Sequence, residues 1–186
     1  MEKSYKNQEN SSKEEILISA QEYTSILNMQ QRILSMLSSG EKSTHILNTL
    51  CFLAEKLLPN AVASIMIVNE NGLMSVLCAP SIPKEGQEAL TNLKPGPGTG
   101  SCGNAVFCNE AQFVQNTFED KRWLDLKKVA IDFNICSCWS IPIKNEENIT
   151  IGTFALSSFE HREPNHFFKK LLETAAFMIN IILKKK

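Results

Sequence analysis

The segment Pro95 to Gly103 constrains the fold most. It reads Pro-Gly-Pro-Gly-Thr-Gly-Ser-Cys-Gly, with four glycines and two prolines. Proline lacks an amide donor and glycine loses the most backbone entropy on ordering, so no helix or central strand runs through it. The residues after it, Asn104-Ala105-Val106-Phe107-Cys108, predict a short helix. The loop therefore delivers the chain to a helix N-terminus, where free backbone N–H groups face a ligand or a carbonyl. Gly96-x-Gly98-x-Gly100 imitates half of a dinucleotide fingerprint. The upstream residues 85–93 do not read as the strand that fingerprint requires, and no Gly-Lys-Ser/Thr follows. Nucleotide-phosphate binding of either type is set aside.

The flanks read as scaffold. Residues 1–13 are polar, of mixed charge, and predicted to be disordered. Residues 14–40 form an N-terminal amphipathic helix, with Ile16, Ala20, Tyr23, Leu27, Gln30, Leu34 and Leu37 on a heptad-like seam and Gly40 as its stop. Ile26 and Ile33 widen the stripe. Ser43 is expected to cap a second helix, over 44–58. Residues 61–69 and 73–79 are strands joined by Asn71-Gly72, a strong hairpin signal. A short helix near 85–93 leads to the glycine loop. A short strand over 112–115, a helix over 125–133, and strands over 136–143 and 149–158 follow. A last helix opens at Pro164 and carries a broad apolar face to Leu183. Two hairpins and no βαβ series predict an α+β domain, 41–186, with a mostly antiparallel sheet and helices on both faces.

A net charge of -1 gives no general attraction to nucleic acid. The longest apolar run, 175–183, is interrupted by Asn180 and too short to span a bilayer. The polar N-terminus is unlike an export signal, so the six cysteines are expected to be reduced thiols in a cytoplasmic protein. Their spacings (Cys102 with Cys108, Cys136 with Cys138) do not match structural zinc knuckles. No Ser-His-Asp order, carboxylate pair or His-Glu-x-x-His stands out, so catalysis has little support from residue types.

Strand parity gives the candidate site. Trp139, Ile141 and Ile143, with Phe154 and Leu156, form large apolar sets suited to packing on the terminal helices. The opposite sets are smaller and mildly polar: Ser64 and Met66, Cys138 and Ser140, Thr153 and Ala155. These six are predicted to form a pocket wall, closed from the other side by Cys102 in the glycine loop and by Trp123. Cys102, at a helix start, is expected to be the most reactive of the thiols.

Four motifs in order carry a resemblance. Gly-Ser-Cys-Gly-x-Ala-Val at 100–106, Asp-x-x-Trp at 120–123, Cys-Trp-Ser-x-Pro-Ile at 138–143 and Ile-Gly-Thr-Phe-Ala at 151–155 together resemble a bacterial GAF domain. They are similar to the sensory subgroup that precedes histidine kinase, diguanylate cyclase and phosphodiesterase modules. The resemblance implies a PAS-like, six-stranded, mostly antiparallel sheet, with dimer helices on one face and a small-molecule pocket on the other. It implies a homodimeric sensor of an unidentified ligand, acting through a histidine kinase or diguanylate cyclase partner or a fused output module, without nucleic acid or membrane insertion. The cyclic-nucleotide signature of the family is absent. The bilin subgroup's Cys-His pair is replaced by Cys138-Trp139, and His45, His161 and His166 are poorly placed for haem, so the cofactor stays unknown. Two alternatives remain. One is the GAF-type free methionine-(R)-sulfoxide reductases, whose Val-Cys-Gly-Thr-Ala-Val segment Cys102 matches. The other is a dimerisation scaffold that binds nothing.

Overall fold

The computed structural model describes residues 18–185. The expected disorder of residues 1–13, and the start of the first helix with Ile16, lie outside the described residues.

Helix α1 spans Ala20–Ser38. Ser19 and Glu22 form a capping box that fixes its start, each side chain satisfying the other's backbone N–H. Gly40, at φ +74°, ends it as the sequence predicts. Helix α2 spans Ser43–Leu57. Its N-cap is Lys42, and Ser43 is the first helical residue and makes no capping bond. Strands β1 (Ala61–Val68) and β2 (Met74–Cys78) form the Asn71-Gly72 hairpin. The Asn69 side chain accepts from the N–H groups of Asn71 and Leu73, which tightens the turn.

Helix α3 is short, Lys84–Glu88, and α4 is Gly100–Cys108. Strand β3 is Gln112–Val114. The stretch read as one helix over 125–133 divides into a 3-10 turn, Lys121–Leu126, and α5, Lys127–Asp132. Strands β4 (Ser137–Lys144) and β5 (Thr150–Ser158) precede α6 (His166–Lys184), which Asn165 caps.

The fold is α+β with one antiparallel sheet in the order β2-β1-β5-β4-β3. It has five strands, not six. After α3 the chain returns to β2 for one residue pair, Met74 with Leu93, bonded in both directions. Pro95 and Pro97 follow and cannot donate to a ladder, so no strand grows there. Pro142 is tolerated in β4 because β3 pairs only as far as Ser140, leaving Pro142 with β5 alone.

One sheet face is packed solid. Trp139, Ile141, Ile143, Phe154 and Leu156, with Ala63 and Ile65, join Leu50 of α2, Ile33 of α1 and Ile179 of α6 in one buried core. The α1 stripe that faces this core is Ile26, Met29, Ile33, Met36 and Leu37. Of the predicted seam, Tyr23, Leu27 and Leu34 are exposed. The opposite sheet face is covered by α4, the 3-10 turn and α5.

Candidate functional site

The site lies on the face covered by loops and short helices. Its sheet floor follows from register. Val62, Ser157 and Cys138 form one cross-strand row, and Ser64, Ala155 and Ser140 form the next. Helix α4 packs down on β4 and β5, over part of this floor. A cavity of about 280 Å³ remains beside it, between β1, α3, the first turn of α4 and α5.

The hinge of this arrangement is Gly100. It sits at φ +71°, a conformation side chains rarely adopt, and a Cβ there would meet Leu126 at 3.0 Å and the Trp123 ring at 3.5 Å. The lack of a side chain lets Trp123 lie flat against the entry of α4. Trp123 Nε1–H donates to Ser101 Oγ at 3.1 Å, and Ser101 Oγ–H donates to the Cys138 carbonyl at 2.8 Å. This relay ties the 3-10 turn to α4 and α4 to β4. The Asn104 amide adds a second tie, donating to the carbonyls of Pro97, Gly100 and Arg122.

Asp120 explains the Asp-x-x-Trp spacing. Its carboxylate caps the 3-10 turn by accepting from Arg122 N–H at 2.9 Å, and it pairs with the Arg122 guanidinium at 2.6 Å. Arg122 also donates to Gln112 and to the Phe113 carbonyl of β3. Trp123, one residue on, is thereby held over the cavity. The Arg122 guanidinium holds the Asp120 carboxyl below its ordinary range.

Five of the eight predicted site residues border the cavity: Ser64, Met66, Cys102, Trp123 and Cys138. Ser140, Thr153 and Ala155 do not. They are on the predicted face, but α4 covers them completely, and each is fully buried. Strand parity decides the face; which part of it a helix covers is a long-range matter. Sequence reasoning also missed the wall supplied by Ile82 just before α3, Gly86 of α3, Leu90, and Val129 of α5 with Phe133. Their short segments carry no periodicity to read. Ser101 and Asn104, which brace the site, sit inside the Gly-Ser-Cys-Gly-x-Ala motif without a signal of their own.

Cys102 is half-buried on the cavity wall, next to Cys138 and Ser140. Ser140 Oγ lies 3.5 Å from its sulfur. A hydrogen bond from the Cys138 thiol, aided by the Ser140 and Thr153 hydroxyls and opposed by burial, lowers the Cys102 thiol to about 7. Cys138 moves well above the ordinary thiol value, because its proton is shared with Cys102 and it is buried. Of the pair, Cys102 is the thiol that loses its proton first. The Thr153 hydroxyl influences the sulfur without forming a sound hydrogen bond, and its Oγ1 is buried with no partner among the described residues.

Comparison with known proteins gives the family. The family model described as "GAF domain" matches residues 44–183. A curated relative, the "Methyl sulfide methyltransferase-associated sensor" of Methanosarcina acetivorans, is 22% identical over 156 residues, covering 83% of this chain and 16% of that protein. The chain thus spans about one-sixth of that relative. Two solved structures share the fold. A domain of a sensor histidine kinase protein from Sinorhizobium meliloti matches with TM-score 0.63 and 18% identity, over 76% of this chain and 90% of that one. The reduced form of fRMsr of Staphylococcus aureus matches with TM-score 0.67 and 19% identity, over 85% and 94%. At such identities these structures speak for the fold alone. The family model covers most of the chain and agrees with the sheet, the helices and the four motifs: the chain belongs to the GAF domain family.

Proposed function

We propose that this chain is a sensory GAF domain that binds a small molecule in the cavity between β1, α3, α4 and α5. The observation that carries the reading is the contrast in filling. The face toward α1, α2 and α6 buries one continuous apolar core, while the other leaves a partly open pocket of about 280 Å³ lined mainly by apolar side chains. A scaffold that binds nothing has no use for such a void, since unfilled apolar volume lowers stability. Similarity to a curated sensor supports a signalling output; the reading takes that output to be a histidine kinase or a diguanylate cyclase, supplied by a partner or a fused module. Tyr23, Leu27 and Leu34 leave an exposed apolar seam on α1 that suits a homodimer, with light scattering of Leu27→Glu/Leu34→Glu as its check.

Native mass spectrometry of the protein isolated gently from its host tests the ligand reading. The expected result is a non-covalent mass that is lost on denaturation and absent from Val129→Phe, which fills the cavity from α5. A ligand retained undiminished by Val129→Phe contradicts the location.

Cys102 favours a second reading, a free methionine-(R)-sulfoxide reductase. It borders the cavity, its thiol is lowered to about 7, and fRMsr shares the fold. Against it stands the lining, which holds no Asp, Glu, Lys, Arg or His to meet the ammonium and carboxylate of an amino acid. Turnover of free methionine sulfoxide with dithiothreitol, abolished in Cys102→Ser, would establish the reductase; no turnover is expected.

A further inference from the structure

If the cavity is a ligand site, as proposed above, its lining restricts what enters. Among the described residues no carboxylate, amine, guanidinium or imidazole borders it. The Glu55 carboxylate accepts from Ser81 Oγ of the wall at 2.7 Å but does not itself border the cavity. A charged ligand would surrender its hydration and find no counter-charge, the arrangement proteins most avoid.

The hydroxyls of the wall are nearly all engaged with the protein. Ser81 donates to Glu55, Thr99 to the Gly96 carbonyl at 2.9 Å, Ser101 to the Cys138 carbonyl, and Ser157 to the Cys138 sulfur at 3.4 Å. Ser64 differs. It borders the cavity, is only 6% exposed, and its hydroxyl makes no hydrogen bond among the described residues while not being one of the fully buried, unpartnered atoms, so it keeps access to the cavity. A hydroxyl that faces a cavity without a partner in the protein is free to bond a ligand or water there. Ser64 lies on β1, across the sheet from Ser140, with Ala155 paired to both, so it is separated from the Cys102–Cys138 thiols by a strand. The remaining surface is apolar: Met66, Ile82, Leu90, Trp123, Val129 and Phe133. The volume exceeds the roughly 150 Å³ of a dry apolar cavity that holds benzene and is just below the range of drug-sized sites.

We propose that the cavity selects an uncharged, mainly apolar small molecule, of about the size of a substituted single ring, that carries one hydrogen-bonding group recognised by the Ser64 hydroxyl.

Calorimetric titration of the full chain at neutral pH with toluene, benzyl alcohol, benzylammonium and benzoate tests this. Benzyl alcohol and toluene are expected to bind, and benzylammonium and benzoate to bind at least tenfold more weakly. Ser64→Ala, a small change on a strand that keeps the fold by circular dichroism, should weaken benzyl alcohol about two- to tenfold and leave toluene unchanged. Benzoate or benzylammonium binding as tightly as benzyl alcohol overturns the selectivity and leaves the ligand site standing. Equal weakening of toluene and benzyl alcohol in Ser64→Ala overturns the role of Ser64. Failure of all four probes counts against the cavity as a ligand site and takes the broader reading with it.

Discussion

The two faces of the sheet use the same strands and end differently. Trp139 and Cys138 are neighbours on β4, both buried, yet Trp139 belongs to the helix-side core, with its ring against Phe168 of α6, and Cys138 borders a void. Long helices present continuous stripes, and α1, α2 and α6 each bring several buried residues to one core. The other face is covered by segments of one or two turns, held less by packing than by polar ties: the Trp123–Ser101–Cys138 relay, the Asn104 amide and the Asp120–Arg122 clamp. Polar ties fix position without demanding that every space be filled. A sheet can thus carry its stability on one face and leave room for a ligand on the other.

The largest expected break of this comparison is Trp139→Ala. Trp139 is 1% exposed, and its indole N–H donates to the Arg162 carbonyl. Denaturant titration should show a loss of about 3–5 kcal/mol. Trp123→Ala, on the cavity side, should cost only about 1–3 kcal/mol, because part of its ring already faces empty space. Equal losses would mean the two faces are equally packed.

A smaller change of opposite sign sharpens the comparison. Thr153 is fully buried under α4, and its hydroxyl lacks a partner. Thr153→Val keeps the shape and removes the unsatisfied group, so stability should rise by about 1 kcal/mol. Because that hydroxyl also helps lower the Cys102 thiol, the pH midpoint of iodoacetamide labelling at Cys102 should move up from about 7. A destabilised Thr153→Val would show that the hydroxyl is paired after all.

The smallest effect is acid sensitivity through Asp120. Its folded carboxyl is held below its ordinary value, so it contributes stability that is fully present above the unfolded carboxylate value near 4 and is lost as pH falls through the depressed folded value. Asp120 and Arg122 are partly exposed, and solvent screening keeps the contribution under about 1 kcal/mol. Asp120→Asn should lower stability by that much at pH 7 and flatten the stability profile below pH 4. An unchanged profile would remove Asp120 from the clamp.

The helix-packed face was the more legible of the two in the sequence. Alternation in β4 and β5 assigns Trp139 and Phe154 to the helix side because bulk and parity agree there. On α1 the spacing is read less cleanly. A period near 3.5 describes both the inner stripe of Ile26, Met29, Ile33 and Met36 and the exposed line of Tyr23, Leu27 and Leu34, and the sequence does not say which one packs on α2 and α6. On the loop side, parity places Ser140, Thr153 and Ala155 on the correct face but does not foretell that α4 lies on them. That position is set by Gly100 and by ties from Ser101 and Asn104, contacts made across tens of residues. The short α3 and α5 segments that supply Gly86 and Val129 have too few turns to show a period at all.

The sequence contains two tryptophans, Trp123 and Trp139, and they lie on opposite faces of the sheet. Their indole N–H resonances report the two faces separately in a single proton–nitrogen correlation spectrum. On titration with benzyl alcohol, the Trp123 signal is predicted to shift saturably while the Trp139 signal stays in place. A saturable shift of Trp139 with Trp123 unmoved would put the binding site on the helix-packed face and contradict the account.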